Sequence, residues 1–300
     1  MEAEVRKQRT AMQGLRHSPD MKLAEAINEY LDARVISQGT RQRETQALNT
    51  FVRGIGNKRL ADLTPRALAE YIERRKLLLA PWTSYRETLW LRSRFQWFAE
   101  QWYIPANPVE LVKVRVPHET RRRALSYDET RQLCAAASSR IIVRYLLAQD
   151  AGLALQEMSN LRRRHIDLQE KMIEVLPIKG RAHRAVPMTE RLHRELAHRL
   201  AEVTDPDAKL VATRKENPRD PHSFVRHLRL RVPFTFTAHD LRHTFSTRLA
   251  AVAQRQRIVQ YLMGHHPRTP TEKYDHPSLQ DCRAAIAAMD AARRKGEQSA

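Results

Sequence analysis

The sequence predicts a mainly helical α+β protein with one small β-hairpin, built as two domains. Three observations carry that expectation. The chain has 300 residues, more than a single core usually serves. It holds only 8 glycines, while leucine, alanine, arginine and glutamate recur throughout. Apolar residues follow a helical period along most of the chain and give way to a strand pattern at one place only.

Residues 1–20 are polar and basic and read as a flexible tail. A helical unit follows over 21–112. In "MKLAEAINEYLDARV", Leu23, Ile27, Tyr30 and Leu31 share one face, and in the next helix Leu48, Phe51 and Val52 form a stripe that Gly54 ends. Thr64 then Pro65 signal a helix start, a cap followed by a first-turn proline. The fourth helix carries Trp90, Phe95, Trp97, Phe98 and Trp102, read as packed core. Periodicity then lapses. Residues 113–123 hold Lys113, Arg115, Arg121, Arg122 and Arg123, and read as a basic linker between domains, lying along a phosphate backbone or simply solvated.

A second domain is expected over 124–300. Ser126 with Glu129 three residues on predicts a capping box. "KMIEVLPIKGRAHRAVPM" reads as strand, turn, strand, with Lys179 and Gly180 at the turn. Helical character resumes and runs to the C-terminus, where 278–295 forms an amphipathic helix with Leu279, Cys282, Ile286 and Met289 on one stripe.

Charge narrows the partners. Lys and Arg number 53 against 34 Asp and Glu, a net +19, which calls for a polyanion. The basic residues are spread along the chain instead of concentrated on one amphipathic helix, and no run of 18 apolar residues occurs. Nucleic acid therefore fits and a membrane does not. Two distant cysteines and no Cys-x-x-Cys pair argue against a zinc site or a disulfide framework, and point to a soluble protein in a reducing, intracellular setting.

The chemistry concentrates in "TAHDLRHTFSTRL", residues 237–249. On a helix, Leu241, Phe245, Leu249 and Val252 make an apolar face, and His239, Arg242, His243 and Ser246 make a polar one. An arginine fork and an imidazole one turn apart suit phosphate oxygens. The alternatives are a solvated polar face or a metal site at His239 and His243, which Arg242 beside the ion disfavours. Downstream, Gly264 marks a helix end, His265 follows, and Thr269, Pro270 and Glu272 mark a helix start ahead of Tyr274.

"HDLRHTFST" followed by "LMGHHPRTPTEKYDH" resembles the tyrosine recombinases, the phage-type integrase family. The family's His-x-x-Arg, Leu-Gly-His and tyrosine correspond to His239 and Arg242, His265, and Tyr274 nine residues later. The hairpin with Lys179 and its Arg-x-Val-Pro close resembles the family's β-hairpin, and the helical unit resembles its core DNA-binding domain. The resemblance implies a site-specific recombinase that cuts and rejoins DNA through a 3′-phosphotyrosyl intermediate. Tyr274 would be the nucleophile. Arg242 and His265 would hold the phosphate oxygens, His239 would assist proton transfer, and Lys179 would protonate the leaving 5′-oxygen. It implies no metal and no cofactor. It further implies double-stranded DNA with specific sites as partner, and a dimer-to-tetramer assembly through the C-terminal helix, whose apolar stripe could equally pack on its own domain. A cytoplasmic, nucleoid-associated protein of a bacterium, phage or mobile element is expected.

One position departs from the pattern. In "AGLALQEMSNL", Gly152 and Glu157 match the family, with Glu157 supporting the site from behind, but Ala154 stands where the family places its first arginine. Arg144 and Arg162–Arg164 are out of register to replace it. The alanine is either an engineered truncation or a natural loss. The enzyme would then be slow or inactive; the alternative is a non-cleaving, sequence-specific DNA-binding protein of the same fold.

Overall fold

In the computed structural model the described residues are 20–118, 123–139, 141–178, 181–201, 203–211, 222–265 and 277–299. The chain divides into two compact units, residues 1–120 and 121–300.

Among the described residues of the first unit, four helices turn their apolar stripes toward one another. α1 (Leu23–Asp32) buries Leu23, Ala26, Ile27, Tyr30 and Leu31, and α2 (Gln38–Ile55) buries Leu48, Phe51 and Ile55. α3 (Pro65–Leu78) begins as its sequence dictates: Thr64 Oγ1 accepts from Ala67 N at 3.2 Å, and Pro65 fills the first position. α4 (Pro81–Glu100) buries Leu91, Phe95 and Phe98.

Trp102 departs from the expected aromatic core. α4 ends before it, Trp102 takes φ 62°, and its side chain is 60% exposed. The reversal brings Tyr103 to the core instead, with ring centroids 5.5 Å from Trp97 and 5.6 Å from Phe98. Helical periodicity cannot follow a stripe past the residue where the helix stops.

The second unit surrounds α6 (Ile142–Gln149), seven of whose eight residues are buried: six apolar or aromatic ones, Tyr145 fully so, and Gln149. Ahead of it, α5 (Tyr127–Ala136) starts with the expected reciprocal cap: Ser126 Oγ accepts from Glu129 N at 3.1 Å, and Glu129 Oε2 accepts from Ser126 N at 2.8 Å. After the short α7 (Leu155–Asn160) comes a three-stranded antiparallel meander of β1 (Ile166–Asp167), β2 (Met172–Val175) and β3 (Arg184–Pro187). The hairpin register pairs Ile173 with Val186 and Val175 with Arg184. β1 was not anticipated, because two residues carry no period.

Four helices follow among the described residues: α8 (Glu190–Ala201), α9 (Ser223–Arg229), α10 (Ala238–Val252) and α11 (Gln256–Leu262). The last helix, α12 (Leu279–Gln298), lies back on its own unit. Cys282, Ile286 and Met289 are buried there, against α5, α10, α11 and β3. Leu279, placed on the same stripe by the sequence, is 47% exposed, one turn ahead of the covered part. Of the two seats open to this apolar stripe, its own domain or a neighbouring protomer, the stripe largely occupies the first. Arg191 ties this corner together: it is held by Asp150 at 2.6 Å and reaches Glu297 on α12 at 3.3 Å. No helix among the described residues is long and apolar enough to cross a membrane.

Candidate active site

α10 presents the His-x-x-Arg residues. Its start is fixed by Asp240, which accepts from Thr237 N and Thr237 Oγ1, both at 2.8 Å, while Thr237 Oγ1 accepts from Asp240 N at 3.1 Å. Asp240 is therefore a capping residue, which gives a use for a carboxylate beside His239. Leu241, Phe245 and Leu249 are fully buried, as the apolar face requires, whereas Val252 is half-buried. His239 is exposed and His243 half-buried.

Arg242 behaves differently from a solvated face. Its side chain is 5% exposed, and it donates to the carbonyls of Gly152 and Met263 and to Glu157 Oε2 at 3.3 Å. These partners come from the turn before α7 and the turn after α11, so one guanidinium joins three segments distant in sequence. Burial first, then the charge of Arg181, push the Arg242 guanidinium down to about 9, with Glu157 opposing and Arg184 adding to the push.

Glu157, at the third position of α7, is the centre of the cluster. Its side chain has no exposure. It accepts from Ala154 N at 2.7 Å, from Arg184 Nη1 and Nη2 at 2.8 and 3.0 Å, and from Arg242. Arg181 Nε stands 3.9 Å from its Oε1. Three positive charges face one negative charge in a poorly hydrated place. Such an excess favours entry of an anion.

Arg184 was not singled out from the sequence. Strand alternation is the signal that could have found it, because Arg184 shares the face of buried Val186. It is wholly buried, and its Nε donates to Leu262 O at 2.8 Å. Its path explains the glycine before His265. Gly264 takes φ 68°, and a Cβ there would lie 2.5 Å from Arg184 Nη1. His265 follows, exposed, with its N–H on Gln260 O at 2.9 Å.

Gly152 is the second glycine that the site needs. It takes φ 62°, and a Cβ would run into the ring of Phe245 on α10. Gly152→Ala combines left-handed backbone strain of about 1–2 kcal/mol with overpacking of about 1–3 kcal/mol. Thermal denaturation should show unit 2 destabilised by several kcal/mol, and an unchanged midpoint would contradict this role.

Ala154 is half-buried at the start of α7, and only its backbone N–H reaches Glu157. The neighbouring arginines are engaged elsewhere. Arg144 Nε donates to Val211 O at 3.0 Å and Arg163 Nε to Val203 O at 2.6 Å, while Arg164 pairs with Asp207 at 2.6 Å and Arg162 donates to Asp207 O at 2.5 Å. Lys113 and Arg115 are exposed on the first unit, and Arg123 holds Glu129 through two bonds of 2.6 and 2.7 Å. Tyr274, Lys179, Arg121, Arg122 and the helix start at Thr269, Pro270 and Glu272 lie outside the described residues. Among the described residues no group of three or more His, Cys, Asp or Glu side chains is placed to hold a metal ion.

The arrangement is a buried carboxylate that sets arginine forks, with His239 exposed three residues before Arg242 on α10 and His265 exposed two residues after Met263. The profile of the phage integrase family matches residues 115–280, and the chain belongs to that family. Tyrosine recombinase XerA of Pyrococcus horikoshii is 27% identical over 171 residues, which cover 55% of this chain and 60% of the relative. Tyrosine recombinase XerC of Proteus mirabilis is 29% identical over 208 residues, covering 63% and 66%. The chain thus spans less than two thirds of the length of these relatives. Among solved structures, the fold is similar to a lambda integrase tetramer bound to a Holliday junction, with TM-score 0.71, 18% identity, and 93% of this chain and 89% of that one covered. It is also similar to the Tn1549 transposon integrase in complex with transposon right end DNA, with TM-score 0.69, 18% identity, and coverage of 89% and 98%.

Proposed function

We propose that the protein is a site-specific DNA recombinase that cleaves and rejoins DNA through a 3′-phosphotyrosyl link at Tyr274. The observation that carries this reading is the cluster in which Glu157 holds Arg242 beside the turn that bears His265. The Tyr274 hydroxyl attacks the phosphorus, forms the tyrosyl ester and expels the 5′-oxygen. His239 assists removal of the tyrosyl proton, and Lys179 supplies a proton to the leaving oxygen. Arg242 and His265 hold the non-bridging oxygens as charge accumulates. The ester retains the bond energy, so rejoining needs no nucleotide and no metal. Ala154 deprives the site of one guanidinium, and losing such a donor costs about 10²–10³ in rate where nothing replaces it.

The net charge of +19 and the basic stretch Lys113, Arg115, Arg121, Arg122 and Arg123 suit a duplex DNA partner in the cytoplasm of a bacterium or a phage-infected cell. One of the similar integrase structures is a tetramer on a Holliday junction, which supports assembly on paired sites. For α12 to dock on a neighbouring protomer it would leave the seat it occupies on its own unit.

Ala154 also favours a second reading, a DNA-binding protein of the same fold that does not cleave. Binding sequences selected from a randomised duplex pool separate the two. Duplexes carrying a selected site and a tiled nick should trap a covalent protein–DNA adduct on a denaturing gel, insensitive to EDTA. Tight binding without adduct at any nick position, from this chain and from Ala154→Arg, would leave only the second reading.

A further inference from the structure

Position 154 and Arg181 meet at one carboxylate. Ala154 N donates to Glu157 Oε2, and Arg181 approaches Oε1 from the β2–β3 hairpin. We propose that Arg181 is a further catalytic residue, which supplies from the hairpin the phosphate-holding guanidinium that position 154 lacks. The proposal rests on the recombinase reading above.

The three arginines of the cluster differ in what they can still do. Arg184 has no exposed surface and spends three donors on Glu157 and Leu262, so it braces the site and cannot meet a phosphate. Arg242 is nearly buried and anchored on two carbonyls and Glu157. Arg181 is 27% exposed, and its side chain is held among the described residues by a 3.4 Å bond to Met263 O and a 3.9 Å approach to Glu157. Those are long contacts, so turning the guanidinium toward an incoming anion gives up little.

Its place is also suitable. Arg181 and Arg242 both donate to Met263 O, which sets two guanidiniums side by side, two residues before His265. A tetrahedral phosphate offers two non-bridging oxygens, and paired forks match them better than one. Beyond the paired strands Arg181 N donates to Ile178 O at 2.8 Å, and Ala182 N reaches Gly264 O at 3.3 Å. The backbone that carries Arg181 is therefore attached to the turn that carries His265. In the absence of DNA, Glu157 and Met263 O compensate only part of the excess charge, and a phosphodiester compensates the rest.

Single-turnover cleavage of the nicked duplex tests this. Arg181→Ala should slow adduct formation by about 10²-fold or more, with DNA affinity changed by only a few fold and the melting temperature unchanged. The decisive variant is Ala154→Arg combined with Arg181→Ala, which should recover the rate to within about tenfold of the parent. A role confined to packing would not be rescued by an arginine on another segment. Should Arg181→Ala unfold, Arg181→Lys keeps the charge without the fork, and should lose at least about tenfold and be recovered by Ala154→Arg. A methylphosphonate at the scissile position, which removes the charge to be held, should narrow the gap between Arg181→Ala and the parent. The proposal is overturned, and the recombinase reading kept, by undiminished cleavage in Arg181→Ala, or by a silent parent whose Ala154→Arg variant forms adduct. Absence of adduct from both parent and Ala154→Arg overturns the two together.

Discussion

Glu157→Ala should unfold the second unit or bring it close to unfolding. The substitution leaves Arg184, which has no exposure, and Arg242, at 5%, without their shared carboxylate. Removing one partner of a buried ion pair costs about 3–5 kcal/mol. Whole domains are stable by only about 5–15 kcal/mol. Urea denaturation followed by the far-UV signal of the second unit checks this, and a loss under about 1 kcal/mol would show that the cluster is not a structural unit. The same carboxylate gives a pH dependence. Burial pushes Glu157 up, but the Arg184 hydrogen bonds and charge, the Ala154 N–H and the Arg242 charge outweigh burial, so the folded-state value lies below the ordinary one. A lowered folded-state value means the stabilisation is present above the ordinary glutamate range and disappears as pH falls through the lowered value. Glu157→Gln should therefore flatten the acid limb of the stability curve, besides lowering its plateau.

Tyr274→Phe should abolish the covalent adduct outright while leaving DNA binding within a few fold of the parent. A single oxygen separates the two side chains, and in the proposed chemistry that oxygen becomes the ester. No residual rate is expected, because phenylalanine offers no atom to bond to phosphorus. The contrast with Arg181→Ala matters here: removing a donor slows the step by a finite factor, whereas removing the nucleophile ends it. Gel-shift affinity with an intact selected site, measured beside the denaturing-gel assay, keeps loss of binding from being mistaken for loss of chemistry. Persistent adduct in Tyr274→Phe would mean that another side chain attacks.

Much of this was legible in the residues themselves. Helix starts were readable wherever the cap is local: Thr64 with Pro65, and Ser126 with Glu129, each satisfy donors within three residues of themselves. The spacing of His239, Arg242 and His265 gave the candidate site. The glycine at 264 showed the turn, though not its second task of clearing a path for Arg184. What could not be read is what tertiary folding brings together. The cluster draws on α7, the hairpin, α10 and the end of α11, four segments spread over about a hundred residues, and no window contains them. The burial of Arg242 follows from the same convergence; on the helical wheel it belonged to a polar face. Trp102 and Tyr103 exchanged roles because the chain reverses just past α4, where the helical period no longer applies.

The most direct test of the central claim, that the arginine cluster holds a phosphodiester for attack by Tyr274, is the identity of the linked residue in the trapped adduct. Trypsin cuts after Lys273 and Arg283, so the account predicts that residues 274–283 carry the nucleotide mass through a 3′-phosphate on Tyr274. A nucleotide mass on any other peptide, or linkage through a 5′-phosphate, would contradict it.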